Sequence, residues 1–368
     1  MKAHVIERIT NLSENHEPLS IVEMPVPEPE SGEVLLKVRT CGVCHTELDE
    51  IEGRTPPAFF PIVPGHQVVG EVVAQGAEVS EPEIGSRVGV AWIYSACGEC
   101  ELCLEGKENL CPDFSATGRD AHGGYAEYMV VPAAYAYPLP EKFSDAEAAP
   151  LLCAGAVGYR SLKLLNLQNG QPAGLTGFGA SAHLVLKMMR FLYPDSPVHV
   201  FARNPKEREF ALSLGAVWAG DTTDVSPEKL AGIIDTTPVW LPVLSALENL
   251  RPSGRLVINA IRKESIDADV LSGLDYAKHL WMEKEMKSVA NVTSADVREF
   301  LGIAEEMEMK PEVQLYSFDE ANKALMDIKQ RRIRGAKVLR IAHDAASIMQ
   351  RQKVKVKSQN GTPAQARG

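Results

Sequence analysis

Four of the chain's seven cysteines fall in one window, Cys97, Cys100, Cys103 and Cys111, with the spacing C-x2-C-x2-C-x7-C. Zinc binds thiolate sulfur at about 2.3 Å in a closed tetrahedron, and close-spaced cysteines on a short loop supply such a shell. Four sulfurs leave no position for a substrate, so this cluster predicts a structural zinc. A second constellation is a glycine turn, Gly177-x-Gly179-x-x-Ala182, which fits G-x-G-x-x-G/A. The first glycine allows a tight turn, the second lets a pyrophosphate approach the backbone, and the small third residue lets helix and strand pack closely. The helix that follows offers its first N–H groups to the anion. The turn sits after an apolar run and before a helical one, the context in which this motif binds a dinucleotide. Cys41, Cys44 and Cys153 remain, and spacing alone does not join residues so far apart.

The choice of dinucleotide is readable at the end of the next strand. NAD sites place an acid about 20 residues on, where it hydrogen-bonds the ribose 2′-OH. Here Val200-Phe201 leads into Ala202-Arg203-Asn204, with no acid to repel a 2′-phosphate. Arg203 could pair with that phosphate, helped by Lys206 or Arg208, which favours NADP over NAD. A second reading makes Asn204-Pro205-Lys206-Glu207 a helix start, with Asn204 as cap and Pro205 in the first position. Arg203 is then a solvated side chain.

These residues need a scaffold. The chain has 368 residues, enough for two domains, with 45% hydrophobic and 24% charged residues. Its net charge of -11 disfavours nucleic acid and anionic membranes. The sequence contains no apolar run of membrane-spanning length. The N-terminus, Met1-Lys2-Ala3-His4-Val5-Ile6-Glu7, reads as a strand start without a signal core. Clustered cysteines without such a signal point to metal rather than disulfides, and to a reducing compartment, the cytoplasm.

The first part of the chain is β-rich. Val34–Val38, Val68–Val73 and Arg87–Ala91 are short β-branched runs punctuated by Gly and Pro, as in a barrel-like sheet. After Pro150 the pattern changes. A helix is predicted over 155–170, a strand into the glycine turn at 173–180, and a helix through Leu184 to Met189. Val198–Phe201 is the next strand, Glu207–Leu214 the next helix, and Gly232–Asp235 and Arg255–Ile258 are further buried strands. Strands alternating with helices predict a parallel doubly wound sheet, an α/β Rossmann arrangement. Residues 344–368 read as a weakly ordered tail.

Several motifs occur in a fixed order: Cys41-Gly-Val-Cys44-His45-Thr46-Glu47, Gly65-His66-Gln67-Val-Val-Gly70, the four-cysteine loop, Pro150-Leu-Leu-Cys153-Ala-Gly155 and the glycine turn. Together they resemble the zinc-dependent medium-chain alcohol dehydrogenase family, over about residues 1–343. The resemblance implies a β-rich GroES-like catalytic domain, discontinuous over 1–154 and 290–343, wrapped around a Rossmann domain at 155–289. It implies two zinc ions per chain, one held by the four-cysteine loop. The other, catalytic, is held by Cys44, His66 and Cys153 with one position open. Cys41 is then a buried small hydrophobe. Thr46 matches the residue whose hydroxyl bonds the substrate alcohol. His45 matches a position near the cofactor pyrophosphate, or is a surface histidine. Trp92 falls where the family lines the substrate pocket, or is ordinary aromatic packing.

Three positions depart from the family's pattern. Gln67 stands where most members carry Glu, and Glu47 replaces the more usual Asp. Asp49 occupies the place of a proton-relay histidine, so either it relays as a carboxylate or the proton leaves through water. The implied activity is that of an alcohol dehydrogenase or aldehyde reductase. Zinc would act as Lewis acid on the substrate oxygen, and hydride would pass between a primary or secondary alcohol carbon and the nicotinamide. Asp235-Thr-Thr-Pro238 and Asn259-Ala-Ile261 would lie near the nicotinamide. The implied partners are a small alcohol or aldehyde and further copies of the chain, in a homodimer or homotetramer. Rival readings are a zinc-free quinone or enoyl reductase and a non-catalytic dinucleotide sensor on the same scaffold.

Overall fold

The β-branched runs between glycines and prolines become strands of a seven-stranded sheet. In a computed structural model, which describes residues 1–179, 181–330 and 335–341, its order is Val313–Ser317, Ala336–Arg340, Glu33–Val43, Val68–Gln75, Arg87–Val90, Tyr137–Pro138. Tyr128–Pro132 also pairs with Glu33–Val43. All neighbours are antiparallel except the first two strands. Segments near both ends of the described chain therefore complete one sheet. Glu33–Val43 takes partners from three strands and is buried along most of its length. Cys41 lies on it, fully buried and opposite Leu339. A Cβ at Gly65 or Gly124 would come within 2.9 or 3.1 Å of its sulfur, so Cys41 fills a tight apolar space.

The middle of the chain forms a six-stranded, all-parallel sheet in the order Trp218–Gly220, Val198–Phe201, Ala173–Thr176, Leu230–Asp235, Leu250–Ile258, Glu285–Ser288. Numbered along the chain this is 3-2-1-4-5-6, the Rossmann order, with the switch point beside Ala173–Thr176. The strands at its centre are buried end to end, because helices cover both faces of a parallel sheet. One apolar core runs from this sheet into the N-terminal part, joining Leu175, Val185 and Ile234 to Val69, Ala91 and Tyr137.

The expected helix over 155–170 is shorter, Ala156–Leu165. Asn166 takes a left-handed conformation (φ 54°) and its N–H bonds back to Lys163, which ends the helix. Upstream, Asp145–Pro150 is already helical, and a π-helical segment, Leu151–Gly155, joins the two. The helix expected at Glu207 begins at Pro205, capped by the Asn204 side chain. Trp218–Gly220 and Glu285–Ser288 are strands that sequence pattern did not reveal. The first is three residues long, and the second is exposed throughout. The tail expected at 344–368 lies outside the described residues.

One buried carboxylate links the first Rossmann helix and the returning chain, and bonds beside it hold the cysteine loop. Asp296 accepts from the Thr293 backbone N–H and hydroxyl at 3.0 and 2.8 Å, capping the helix Ser294–Glu306. It also receives Arg160 Nη1 at 2.5 Å. Asn109, from the cysteine loop, donates to the Ala290 carbonyl at 2.6 Å, and Glu108 accepts from Ser294 N at 2.6 Å. Burial opposes the charge on Asp296. The bonds from Thr293 and Arg160 outweigh it and hold the carboxyl below its ordinary range. Asp296→Ala should therefore lower the unfolding free energy at pH 7 by about 3–5 kcal/mol, read by urea denaturation. Asp296 stabilises fully above about pH 4, the unfolded carboxyl range, and loses this as pH falls through the lower native value. The gap between wild type and variant should narrow on acidification below about pH 4. A gap that does not change with pH would contradict this account.

Candidate active site

Strand Glu33–Val43 delivers the chain directly into a short helix, His45–Ile51, and Cys44 is the N-cap. Its sulfur accepts from Thr46 N at 3.3 Å, and Glu47 turns back so that Oε2 accepts from Cys44 N at 2.8 Å. This reciprocal capping box fixes the first turn. The other Glu47 oxygen lies 2.8 Å from His66 Nδ1, with both side chains buried. Glu47 thus braces the helix start and the imidazole together. The extra methylene relative to Asp lengthens the arm that makes both contacts.

His66 is aimed by this contact, and its Nε2 lies 3.6 Å from Cys44 Sγ and 3.3 Å from Cys153 Sγ. Cys153 sits in the π-helical segment, where the extra residue in the turn re-aims side chains. Gly65, just before His66, has φ +99°, and a Cβ there would meet the Tyr125 ring at 2.3 Å. Only glycine fits this turn. The three ligand atoms all lie within 4.8 Å of one another.

The charges in this group favour a cation. Contact with Cys153, then burial, then Glu47 push the Cys44 thiol well above its ordinary value. Burial opposes a charge on His66, yet Glu47 and Cys44 raise its pKa well above the usual range. Two sulfurs and a carboxylate packed around one imidazole form an electron-rich enclosure. A divalent cation would reverse the cost of ionising the thiols.

The four loop cysteines also converge, with sulfur separations of 3.8 Å for Cys97–Cys103, 3.5 Å for Cys97–Cys111 and 3.9 Å for Cys100–Cys111. A tetrahedron with Zn–S of about 2.3 Å has edges of about 3.7 Å, so these spacings fit zinc without rearrangement. Backbone N–H groups of Cys100 and Asp113 point at Cys97 and Cys111 sulfurs, each at 3.3 Å. Such bonds favour thiolates, and N–H donors from Glu99 and Cys100 hold the Cys97 thiol down to about 7.

The glycine turn opens at the switch point. Gly177 has φ +75°, and a Cβ there would come within 2.9–3.0 Å of Thr237 and Thr236. A Cβ at Gly179 would meet nothing within 4 Å, so the backbone faces open space there, as an approaching phosphate requires. Ala182 is buried at the first position of the helix Ala182–Leu192. Arg203 and Lys206, which follow strand Val198–Phe201 in the chain, are exposed. Arg208 is directed elsewhere, to the Ala202 carbonyl at 2.8 Å and Asp221 at 3.3 Å. Of the readings for Asn204, the cap is realised, since its Oδ1 accepts from Lys206 N at 3.0 Å.

Thr46 is half-buried and His45 exposed at the start of the helix. Gln67 is buried with its side chain packed over Gly42. Trp92 stacks on Phe114 at 5.2 Å, under the Arg119 guanidinium at 5.0 Å. Asp49 differs from the relay expectation. Its Oδ1 accepts from Arg54 Nε at 2.5 Å and from Arg262 Nε at 3.0 Å. Arg54, Arg262 and Lys263 were not found by sequence reasoning. The only signal was a pair of adjacent cations after a strand end in an acidic chain, and nothing in the sequence named their partners.

The model of the alcohol dehydrogenase GroES-like domain matches residues 30–141. The chain is 43% identical over 329 residues to the probable alcohol dehydrogenase AdhA of Mycobacterium tuberculosis (strain CDC 1551 / Oshkosh), a match that covers 88% of this chain and 93% of that one. An alcohol dehydrogenase of Geobacillus stearothermophilus is 32% identical over 357 residues, 94% of this chain and 100% of its own. Among solved structures, a cinnamyl alcohol dehydrogenase from Sorghum bicolor superimposes with a TM-score of 0.76 at 28% identity, covering 92% of this chain and 98% of that one. With relatives this similar over nearly their whole length, the chain belongs to the zinc-type medium-chain alcohol dehydrogenase family, whose activity it carries: NAD(P)-dependent hydride transfer between alcohols and their carbonyls.

Proposed function

We propose that Cys44, His66 and Cys153 hold a catalytic zinc and that Cys97, Cys100, Cys103 and Cys111 hold a structural one. The observation that carries this is the convergence of two sulfurs and one imidazole nitrogen at the N-terminus of a helix, braced by Glu47. These residues would hold a zinc that, when bound, would supply a Lewis acid for a substrate oxygen. Every remaining task falls to the chain. Glu47 holds His66 by Nδ1, which fixes the tautomer and presents Nε2. Thr46, two residues from Cys44, takes the proton of a primary or secondary alcohol on its hydroxyl oxygen and releases its own outward. Onward transfer runs through water in this reading, because Asp49 Oδ1 is already engaged by two guanidinium groups.

The turn at Gly177, Gly179 and Ala182 receives the pyrophosphate, with His45 nearby from the other side of the cleft. Arg203 pairs with a 2′-phosphate, which makes NADP the favoured dinucleotide. Substrates are small alcohols or aldehydes. The assembly is a homodimer or homotetramer. Its support is the outermost parallel strand, Glu285–Ser288, exposed along its length including Met286, with Tyr276 and Trp281 exposed shortly before it in the chain. A reducing compartment, the cytoplasm, suits seven cysteines without a disulfide. Among the described residues no helix is long and apolar enough to cross a membrane.

Cys44→Ser should retain one zinc per chain instead of two and lose turnover while still binding dinucleotide, as read by metal analysis and a fluorescence titration. Full metal content with unchanged activity would sink the assignment. Arg203→Ala should raise KM for NADPH by about tenfold, the size of one charge-assisted hydrogen bond, and leave KM for NADH nearly unchanged. A wild type that strongly prefers NADH would overturn the role given to Arg203.

A further inference from the structure

Two consecutive cations on the loop after strand Leu250–Ile258 diverge. Lys263 turns into the parallel sheet, where its ammonium is largely buried. It pairs with Asp235 and donates to the Thr237 and Val239 carbonyls at 2.7 and 3.1 Å. Asp235 in turn accepts from Thr176 Oγ1 at 2.5 Å and from Thr237 Oγ1 at 2.8 Å. Thr176 is the residue before Gly177. Backbone bonds from Asn259 N to the Asp235 carbonyl and from Glu264 N to the Pro238 carbonyl, at 2.7 and 2.6 Å, tie down both sides of the loop.

Arg262 leaves the loop in the other direction and donates to buried Asp49, 213 positions away in sequence. Asp49 belongs to the helix that begins with His45 and Thr46. On that side it is fixed by Arg54, which pairs with Glu52, and Glu52 accepts from Lys329 at 2.7 and 2.8 Å. Each end of the Arg262–Asp49 contact is thus anchored in a different unit, one next to the phosphate-binding turn and the other next to Cys44. A solitary surface ion pair contributes little. This one has a buried acceptor shared by two guanidinium groups, and its neighbour Lys263 holds the loop rigid.

We propose that Asp49 is a positioning residue, the catch of a latch whose bolt is Arg262, and that through it dinucleotide binding at Gly177–Gly179 sets the helix carrying Thr46 against the Rossmann unit. The proposal rests on the dehydrogenase reading. It assigns Asp49 a mechanical part in place of proton relay.

Amide hydrogen exchange on the full, zinc-loaded chain tests it, with NADPH as probe. In wild type, NADPH should slow exchange both at 174–179 and in the helix 45–51. In Arg262→Gln it should still slow exchange at 174–179 but no longer in 45–51. Turnover supplies the second readout. Arg262→Gln and Asp49→Asn should each lower kcat by about tenfold, within the span of a typical coupling between sites, with zinc content unchanged and no displacement of the pH–rate profile. The double variant should fall no further than either single one, and Arg262→Lys should recover most of the loss. A normal Arg262→Gln beside an impaired Asp49→Asn with a shifted pH profile would restore the relay and overturn the latch. So would effects that multiply in the double variant, or zinc loss from either single one. A wild type inert with every dinucleotide and alcohol would instead sink the reading beneath it.

Discussion

Each oxygen of Glu47 is committed to a different element, and the site depends on that division. One closes the capping box at Cys44, so the strand Glu33–Val43 ends and the helix begins at a fixed residue. The other meets His66 Nδ1 and turns the ring toward two sulfurs. A carboxylate buried without partners is costly; here one oxygen closes the capping box and the other lies 2.8 Å from an imidazole nitrogen. The arrangement converts a helix start, a common local event, into the means by which two candidate ligands from separate segments share one geometry. Cys153 arrives by a different device, a π-helical turn between two helical stretches. The group therefore combines a strand end, a left-handed glycine turn and a π turn, none of them regular structure.

The dinucleotide side is built by the opposite logic. There the ends of regular parallel strands converge on one crevice, and the specialised residues are those that let backbone come close. Gly177 fits beneath Thr236 and Thr237, and Gly179 faces open space. Asp235, fully buried, gathers Thr176, Thr237 and Lys263 at the strand ends. The sheet thus supplies a rigid floor, while the N-terminal unit supplies residues held by irregular turns. The Asn109–Ala290 and Ser294–Glu108 bonds keep the cysteine loop against that floor.

The legibility of the sequence followed the range of the interactions. The glycine turn, the alternation of strands and helices, the four-cysteine loop and the cap at Asn204 are local, and each could be read from neighbouring residues. Helix ends were less legible. Asn166, a left-handed cap, stopped a helix expected to run on to residue 170. The grouping of Cys44, His66 and Cys153 came only through resemblance, because no local rule joins residues on three separate segments. The partners of Asp49 were hidden for the same reason. Its position in the sequence suggested a relay, but its chemistry is set by Arg54 and by Arg262, a partner from the other unit. Glu285–Ser288 was missed because an exposed edge strand carries no burial pattern.

The seven-stranded sheet also constrains the order in which the protein can be made. Its central strand, Glu33–Val43, is synthesised early, yet its neighbour Ala336–Arg340 comes at the far end of the described chain. The whole parallel sheet lies between them and can fold as soon as Ser288 has emerged. Thr40–Val43, the end of the strand that leads into Cys44, must therefore wait on the ribosome with one edge unpaired, a state prone to pairing with the wrong chain. The other partners of the strand, Val68–Gln75 and Tyr128–Pro132, are translated long before residue 336 and can hold the rest of it in place while its last neighbour is still being made.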